Sequence, residues 1–254
     1  MLDPSFLTRP IAHRGLHDLA QGVPENSLAA FRAAIAGGYG IELDVQPSSD
    51  GVPMVFHDDT LERLVGGEGP VTGLTAAELG QRTILGTSER VPTLAEVLAA
   101  VAGRAPLLIE VKDQSQALAP VDGRLEAAVA AILKGYRGPV ALMSFNPWSV
   151  AALAREAPDV PRGITTCGYD EDWWEDRLPP ERRRELQAIP DYGPTGSSFV
   201  SHAHGDLGRP RIHDLKRQGA AILCWTIRSP EAEAEARRFA DNVTFEGYRA
   251  ALAP

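Results

Sequence analysis

Charged residues stand at the ends of four short apolar runs in the sequence. Their types complement one another, because carboxylates bind hard cations, imidazoles exchange protons near neutral pH, and Arg and Lys bind phosphate. The four motifs are His13-Arg14-Gly15, Glu42-Leu43-Asp44, His57-Asp58 and Glu110-Val111-Lys112. If the apolar runs are strands of one barrel, their carboxyl ends meet at a single working face.

The three carboxylates of these motifs predict a metal site. Glu42 and Asp44 are two residues apart on a predicted strand, so both point to the same face with Cα atoms about 7 Å apart. Glu110 supplies a third oxygen from another strand, and such a partial oxygen shell suits Mg2+ or Ca2+. The alternative is an ion-pair network with Arg14 and Lys112. Three apolar-flanked carboxylates at strand ends favour the metal.

His13 and His57 are the candidates for general acid and base, since an imidazole titrates near neutral pH. The alternative for either residue is packing or simple surface exposure. His202 and His204, at the end of the sixth predicted strand, receive no role.

Arg14 and Lys112 are the candidate phosphate contacts, and Glu25 is placed to orient Arg14. Trp225 lies near the end of the seventh predicted strand, where it could form an apolar wall for a small ligand or pack in the core. Asn26 is the predicted N-cap of the following helix.

The alternation of apolar runs with Ala- and Leu-rich helical segments predicts an α/β protein built as a (β/α)8 TIM barrel. The strands are predicted at residues 11–14, 40–45, 107–112, 140–145, 163–167, 198–201, 221–227 and 242–246. The helices are predicted at residues 27–36, 94–102, 125–136, 148–156, 180–188, 210–218 and 230–240. Residues 47–92 form a small insertion after strand two, and residues 1–254 are expected to be one domain. An open doubly wound sheet is the competing architecture, although no Gly-x-Gly-x-x-Gly turn follows the first strand.

The composition limits the partners of the protein. A formal charge of −9 over 254 residues, without a basic tract, argues against nucleic-acid binding. The two cysteines lie far apart in short apolar runs, so a disulfide framework is not expected. Residues 1–10 lack the features of a secretory signal, and no stretch approaches the roughly 20 apolar residues of a membrane span. We therefore expect a cytoplasmic protein without a stable membrane anchor, while its oligomeric state stays open.

Seven motifs in order resemble the glycerophosphodiester phosphodiesterase family, within the phosphatidylinositol phospholipase C-like phosphodiesterase superfamily. They are His13-Arg14-Gly15, Pro24-Glu25-Asn26-Ser27, Glu42-Leu43-Asp44-Val45, His57-Asp58, Glu110-Val111-Lys112, Ser144-Phe145 and Trp225-Thr226. The resemblance covers nearly the whole chain and includes the insertion after strand two. It departs at the last strand, where the segment from Asp241 to Tyr248 replaces the family's Asp-Gly-Ile-Ile-Thr-Asp-x-Pro pattern.

The resemblance implies hydrolysis of a small-molecule glycerophosphodiester to glycerol phosphate and an alcohol. It implies a divalent cation on Glu42, Asp44 and Glu110, with His13 and His57 as acid and base and a cyclic phosphate intermediate. One alternative keeps the fold but acts on lipids, as lysophospholipase D enzymes do. Another is a barrel that binds a phosphate ligand without turnover.

Overall fold

The computed structural model describes residues 1–252, apart from the side chains of residues 172 and 173. Within that range the strands are β1 (Ile11–Ala12), β2 (Gly40–Pro47), β3 (Pro53–Val55), β4 (Leu107–Val111), β5 (Val140–Ser144), β6 (Arg162–Thr166), β7 (Phe199–Ala203), β8 (Ala221–Ile227) and β9 (Asn242–Phe245). All except β3 are parallel, and β1 pairs with both β2 and β9, which closes the barrel. The predicted (β/α)8 barrel is confirmed, and closure excludes the open sheet.

The α-helices of the described range surround this barrel. They are α1 (Ser5–Thr8), α2 (Leu28–Ala36), α3 (Glu62–Val65), α4 (Ala76–Leu79), α5 (Leu94–Val101), α6 (Arg124–Leu133), α7 (Pro147–Glu156), α8 (Asp172–Glu175), α9 (Pro180–Gln187), α10 (Pro210–Arg217) and α11 (Pro230–Ala236). The prediction extended α6 to Tyr136 and was wrong there, because Lys134 is already extended and Gly135 has a φ of +89°. No helix in residues 1–252 combines the length and apolar character needed to cross a bilayer.

Strand β4 shows how the sequence positions the site. Leu107, Ile109 and Val111 pack in the layer between the barrel and its helices. Leu108 faces the opposite way, into an inner cluster with residues of neighbouring strands. Because side chains alternate along a strand, Glu110 shares the inward face with Leu108. The same alternation directs Glu42 and Asp44 of β2 to one face.

The amino-terminal end of the barrel is closed by α1. Phe6 is fully buried in the inner cluster with Ile11 and Phe199. The amide of Asn242 donates to the carbonyl oxygens of Phe6 and Arg9 at 2.8 and 2.6 Å. The interior is therefore packed at this end, and the carboxyl end of the strands is the open one.

Residues 47–92 form the predicted insertion after strand two. The insertion begins where β3 pairs antiparallel with the end of β2. Its apolar side chains form a separate cluster around Met54, Phe56 and Leu64. The insertion is followed by Thr93, whose hydroxyl caps α5 in a capping box with Glu96. The insertion places His57 at the carboxyl end of the barrel.

The turn after β1 depends on Gly15, and we expect Gly15→Ala to lower the melting temperature by about 6–12 °C. Its φ is +78°, and an added Cβ would lie 2.8 Å from the Cβ of Ala30. Backbone strain and overpacking together should lower the free energy of unfolding by about 3 kcal/mol. For a chain of this size, each kcal/mol lost lowers the melting temperature by about 2–4 °C.

Gly22→Ala is the matched control for this substitution. Gly22 has a similar φ of +74°, but none of the described residues approaches its added Cβ within 4 Å. Only the backbone penalty of about 1 kcal/mol applies to it. Thermal denaturation of both variants measures the difference, and equal losses would show that the contact with Ala30 is unimportant.

Candidate active site

Three buried carboxylates meet at the carboxyl end of β2 and β4. Glu42 and Asp44 project from β2, and Glu110 is the register partner of Asp44 on β4. One oxygen from each of the three lies within 4.8 Å of the others. All three side chains are buried, with the largest exposed fraction, 7%, at Glu110. The structure thus brings the predicted triad together.

The charges within the triad are only partly balanced by the protein. Burial, reinforced by repulsion from Asp44 and Glu110, raises the pKa of Glu42 well above its ordinary value. Burial also acts to raise the pKa of Asp44, but the Coulomb effects of the neighbouring His57 and Lys112 outweigh it and hold that pKa below its usual range. An all-oxygen donor set with unbalanced negative charge fits a hard divalent cation.

Lys112 and Arg14 form part of the ion-pair network that was the alternative to a metal site. The ammonium of Lys112 lies 2.8 Å from Glu110 Oε1 and 3.4 Å from Asp44 Oδ1. Arg14 Nε lies 3.6 Å from Asp44 Oδ2. Glu42 instead accepts a hydrogen bond from the backbone N–H of Arg14 at 2.9 Å. The network therefore leaves Glu42 without a side-chain ammonium or guanidinium partner among the described residues.

His13 follows β1 and is fixed by a carboxylate that the sequence analysis did not identify. Its Nδ1 lies 2.5 Å from Oε2 of Glu246, the residue immediately after β9. Because a carboxylate only accepts, Nδ1 carries the proton and Nε2 is left to accept. Nε2 lies 3.9 Å from Glu42 Oε2, beside the triad. Burial lowers the pKa of His13 despite the opposing effect of Glu246, which favours the neutral imidazole.

His57 is oriented in the same manner on the other side of the site. Its Nδ1 lies 2.7 Å from Asp58 Oδ1, and Arg63 in turn holds Asp58 through Nε at 2.7 Å. Its side chain is 31% exposed, against 15% for His13. Both imidazoles thus have a carboxylate on Nδ1, which leaves Nε2 of each for proton exchange.

Arg14 is held against the triad by Glu25. Its Nη1 donates to Glu25 Oε1 at 2.6 Å, and Arg63 donates to both oxygens of the same carboxylate at 2.8 Å. Glu25 therefore lies where it was expected to orient Arg14. The Arg14 side chain is only 17% exposed, so its guanidinium can act as a fixed donor towards an anion.

The prediction that Asn26 caps α2 is wrong. The N-cap is Ser27, whose hydroxyl accepts from the backbone N–H of Ala30 at 3.1 Å. Asn26, with a φ of +52°, instead donates through Nδ2 to Asp44 Oδ2 at 2.9 Å. It therefore fixes the orientation of one of the three carboxylates.

Two adjoining cavities open at this end of the barrel. The smaller, of about 190 Å3, is lined by both histidines, the triad, Arg14 and Lys112. The larger, of about 570 Å3, is lined by apolar side chains that include Leu118 and Trp174 and by polar and charged ones that include His57 and Asp113. Trp225 lines both cavities; its Nε1 donates to Ser201 O at 3.1 Å, and its ring lies edge-on to Phe145 at 5.5 Å. Trp225 is therefore placed as an apolar wall between them.

His202 and His204, which received no role, lie outside these two cavities. His202 is buried, with Nδ1 2.6 Å from Thr166 Oγ1 and Nε2 3.2 Å from Asp206 Oδ2. His204 lines a separate surface depression beside Asp206. Neither residue contributes to the triad.

Comparison with known proteins identifies the family. The model of the "Glycerophosphoryl diester phosphodiesterase family" matches residues 13–244. A glycerophosphodiester phosphodiesterase of Caldanaerobacter subterraneus subsp. tengcongensis is 34% identical over 178 residues, which cover 65% of this chain and 70% of that protein.

Solved structures show the same similarity. An Oleispira antarctica phosphodiesterase in complex with the product sn-glycerol-3-phosphate is 25% identical, with a TM-score of 0.74 over 95% of this chain and 94% of the other. A glycerophosphodiester phosphodiesterase from Agrobacterium tumefaciens is 26% identical, with a TM-score of 0.69 over 94% and 96%.

Proposed function

This chain belongs to the glycerophosphoryl diester phosphodiesterase family, and we propose that it hydrolyses glycerophosphodiesters to glycerol phosphate and an alcohol. One observation carries the proposal: His13, His57 and the carboxylate triad line a single cavity with Arg14 and Lys112. The product named for the Oleispira antarctica relative, sn-glycerol-3-phosphate, supports the same chemistry. Glycerophosphocholine and glycerophosphoethanolamine are the proposed substrates.

We assign the divalent cation, Mg2+ or Ca2+, to Glu42, Asp44 and Glu110. When bound, such an ion supplies positive charge that stabilises the phosphoryl oxygens in the transition state. Arg14 and Lys112 would donate hydrogen bonds to the same oxygens. Because these donors are already held in place, they would stabilise the negative charge that develops there in the transition state. Trp225 would exclude water from one side of the substrate.

His13 and His57 would move the protons in two steps. In the first, one imidazole takes the proton from the 2-hydroxyl of the glycerol moiety as its oxygen attacks phosphorus. The other imidazole protonates the departing alcohol as its P–O bond breaks, which leaves a cyclic phosphate. In the second, a water molecule attacks phosphorus with the roles of the imidazoles reversed, and opening of the ring yields glycerol phosphate.

The direct test is release of glycerol phosphate from glycerophosphocholine and glycerophosphoethanolamine by the purified protein. We expect turnover with Mg2+ or Ca2+, loss of turnover with EDTA, and recovery when the cation is restored. A folded protein that releases nothing with either cation would contradict the substrate assignment. Turnover that survives EDTA would contradict the metal assignment while keeping the reaction.

The larger cavity favours one second candidate, a lysophospholipase D-type reaction on lipids. Leu118, Phe145, Trp174 and Trp225 give this cavity an apolar lining that could hold an acyl chain. Lysophosphatidylcholine, assayed beside glycerophosphocholine, separates the two functions. Turnover of the lipid alone would replace the first proposal with this one.

A further inference from the structure

Two hydroxyl groups at the smaller cavity have no hydrogen-bond partner in the part of the chain that the structure describes. Ser201 on β7 is fully buried and Thr244 on β9 is 2% exposed. Both side chains line the cavity that contains the triad and His13. Among the described residues, neither Oγ of Ser201 nor Oγ1 of Thr244 is within hydrogen-bonding distance and geometry of any partner. Buried hydroxyls are normally paired, so these two are placed to pair with something that enters the cavity.

Their position relative to the triad is set by the barrel. Strand β7 is four strands from β2 in either direction around the closed sheet. Ser201 therefore lies on the wall of the barrel opposite Glu42 and Asp44. Thr244 lies between these two walls, on β9, which pairs with β1, the strand that precedes His13. A ligand whose phosphoryl group lies at the triad would extend its other end towards these hydroxyls.

The size of the cavity limits what that end can be. The smaller cavity has a volume of about 190 Å3, against about 570 Å3 for the larger one. A three-carbon polyol and a phosphoryl group fit such a space, whereas the leaving alcohol varies in size and suits the larger cavity. In the proposed reaction the 2-hydroxyl of glycerol attacks phosphorus, so the terminal hydroxyl takes no part in the chemistry and needs partners of its own.

We propose that Ser201 and Thr244 bind the terminal, non-reacting hydroxyl of the glycerol moiety and thereby select glycerophosphodiesters over diesters of simple 1,2-diols. The inference rests on the proposed function and extends it to the recognition of the polyol. It assigns Ser201 and Thr244 as substrate-binding residues that take no part in proton transfer.

The test compares glycerophosphocholine with the phosphocholine diester of 1,2-propanediol esterified at its primary hydroxyl. This analogue keeps the attacking 2-hydroxyl and lacks only the terminal one. We expect the wild-type kcat/KM to favour glycerophosphocholine by at least about tenfold, since a site built to pair a hydroxyl rejects the analogue without it. Ser201→Ala and Thr244→Val should each lower this preference towards one, with kcat/KM for the analogue changed by no more than about twofold.

Thr165→Val is the matched control. Thr165 is 1% exposed, lies beside Ser201 on β6, and has an equally unpartnered Oγ1 within the described residues. It is absent from the residues that line the cavity. This variant should keep the wild-type preference for glycerophosphocholine.

The possible results separate the two proposals. Equal wild-type turnover of both diesters would overturn the inference and keep the proposed function, and this comparison needs no variant to fold. Variants that lose activity equally on both diesters would show that the hydroxyls are structural and would also overturn it. No turnover of either diester would overturn the proposed function, and the inference with it.

Discussion

Glu42→Gln should lower kcat/KM for glycerophosphocholine by about a thousandfold at a fixed, non-saturating Mg2+ concentration. A bound cation contributes several kcal/mol of transition-state stabilisation, and each 1.4 kcal/mol corresponds to a factor of ten. Glutamine keeps the size of the side chain. Its amide oxygen can still accept the hydrogen bond that the backbone N–H of Arg14 donates to Glu42 Oε2 at 2.9 Å. The loss would therefore report the missing negative charge in the triad.

A second measurement reports the cation without using activity. At about one hundred times its dissociation constant, a cation stabilises the wild-type protein by about 2.7 kcal/mol, which raises the melting temperature by about 5–10 °C. Glu42→Gln should lose this rise. In EDTA it should melt no lower than the wild type, because burial, reinforced by repulsion from Asp44 and Glu110, raises the pKa of Glu42, and a neutral glutamine avoids both costs of a buried charge.

Glu126→Gln is the control for both measurements. Glu126 is 1% exposed and accepts a hydrogen bond from Ser149 Oγ at 2.6 Å, far from the triad on α6. It should keep wild-type turnover and the full rise in melting temperature. If Glu42→Gln behaves in the same way as this control, the three carboxylates form a structural network and the metal assignment is lost.

The triad could be predicted because its signal is local. Two carboxylates at positions i and i+2 of a strand share a face whatever the rest of the chain does. Glu110 needed one further assumption, that its apolar run lies beside that of Glu42, and the parallel register of β2 and β4 satisfies it. The resemblance to a family added the order of the motifs along the chain.

Glu246 could not be found in this way because its role comes from closure of the barrel. It is separated from His13 by 233 residues, and the two meet only because β9 pairs with β1. The signal available in the sequence was an acidic residue at the carboxyl end of the last predicted strand, residues 242–246. Its surroundings departed from the family pattern, so no role was given to it.

Asn26 and Ser27 illustrate a different limit. Both residue types are good N-caps, so the local sequence does not decide which one begins the helix. In the folded chain the Asn26 amide donates to Asp44 of the adjacent strand β2, and Ser27 is the residue that caps the helix. Ser201 and Thr244 are harder still, because a hydroxyl in a strand becomes informative only when its lack of a partner in the folded chain is known.

His13→Ala should lower kcat for glycerophosphocholine by about a thousandfold, within the usual range for loss of a general acid or base. Glu246→Gln should cost about tenfold to a hundredfold, because His13 remains but its Nδ1 loses the charged acceptor 2.5 Å away. Burial acts to raise the pKa of Glu246, but the hydrogen bond from His13 and the nearby imidazole of His17, whose Nε2 lies 3.8 Å from Glu246 Oε2, outweigh it and hold that pKa well below its usual range. Glu246 is therefore ionised and suited to orient His13.

The double variant distinguishes a positioning role for Glu246 from a structural one. If Glu246 acts only through His13, adding Glu246→Gln to His13→Ala should lower kcat no further, because nothing is left to orient. An equal loss from Glu246→Gln in both backgrounds would show that Glu246 supports the barrel mouth independently of His13. Full activity of His13→Ala would remove His13 from the mechanism, and only His57 would then remain as the proposed proton carrier.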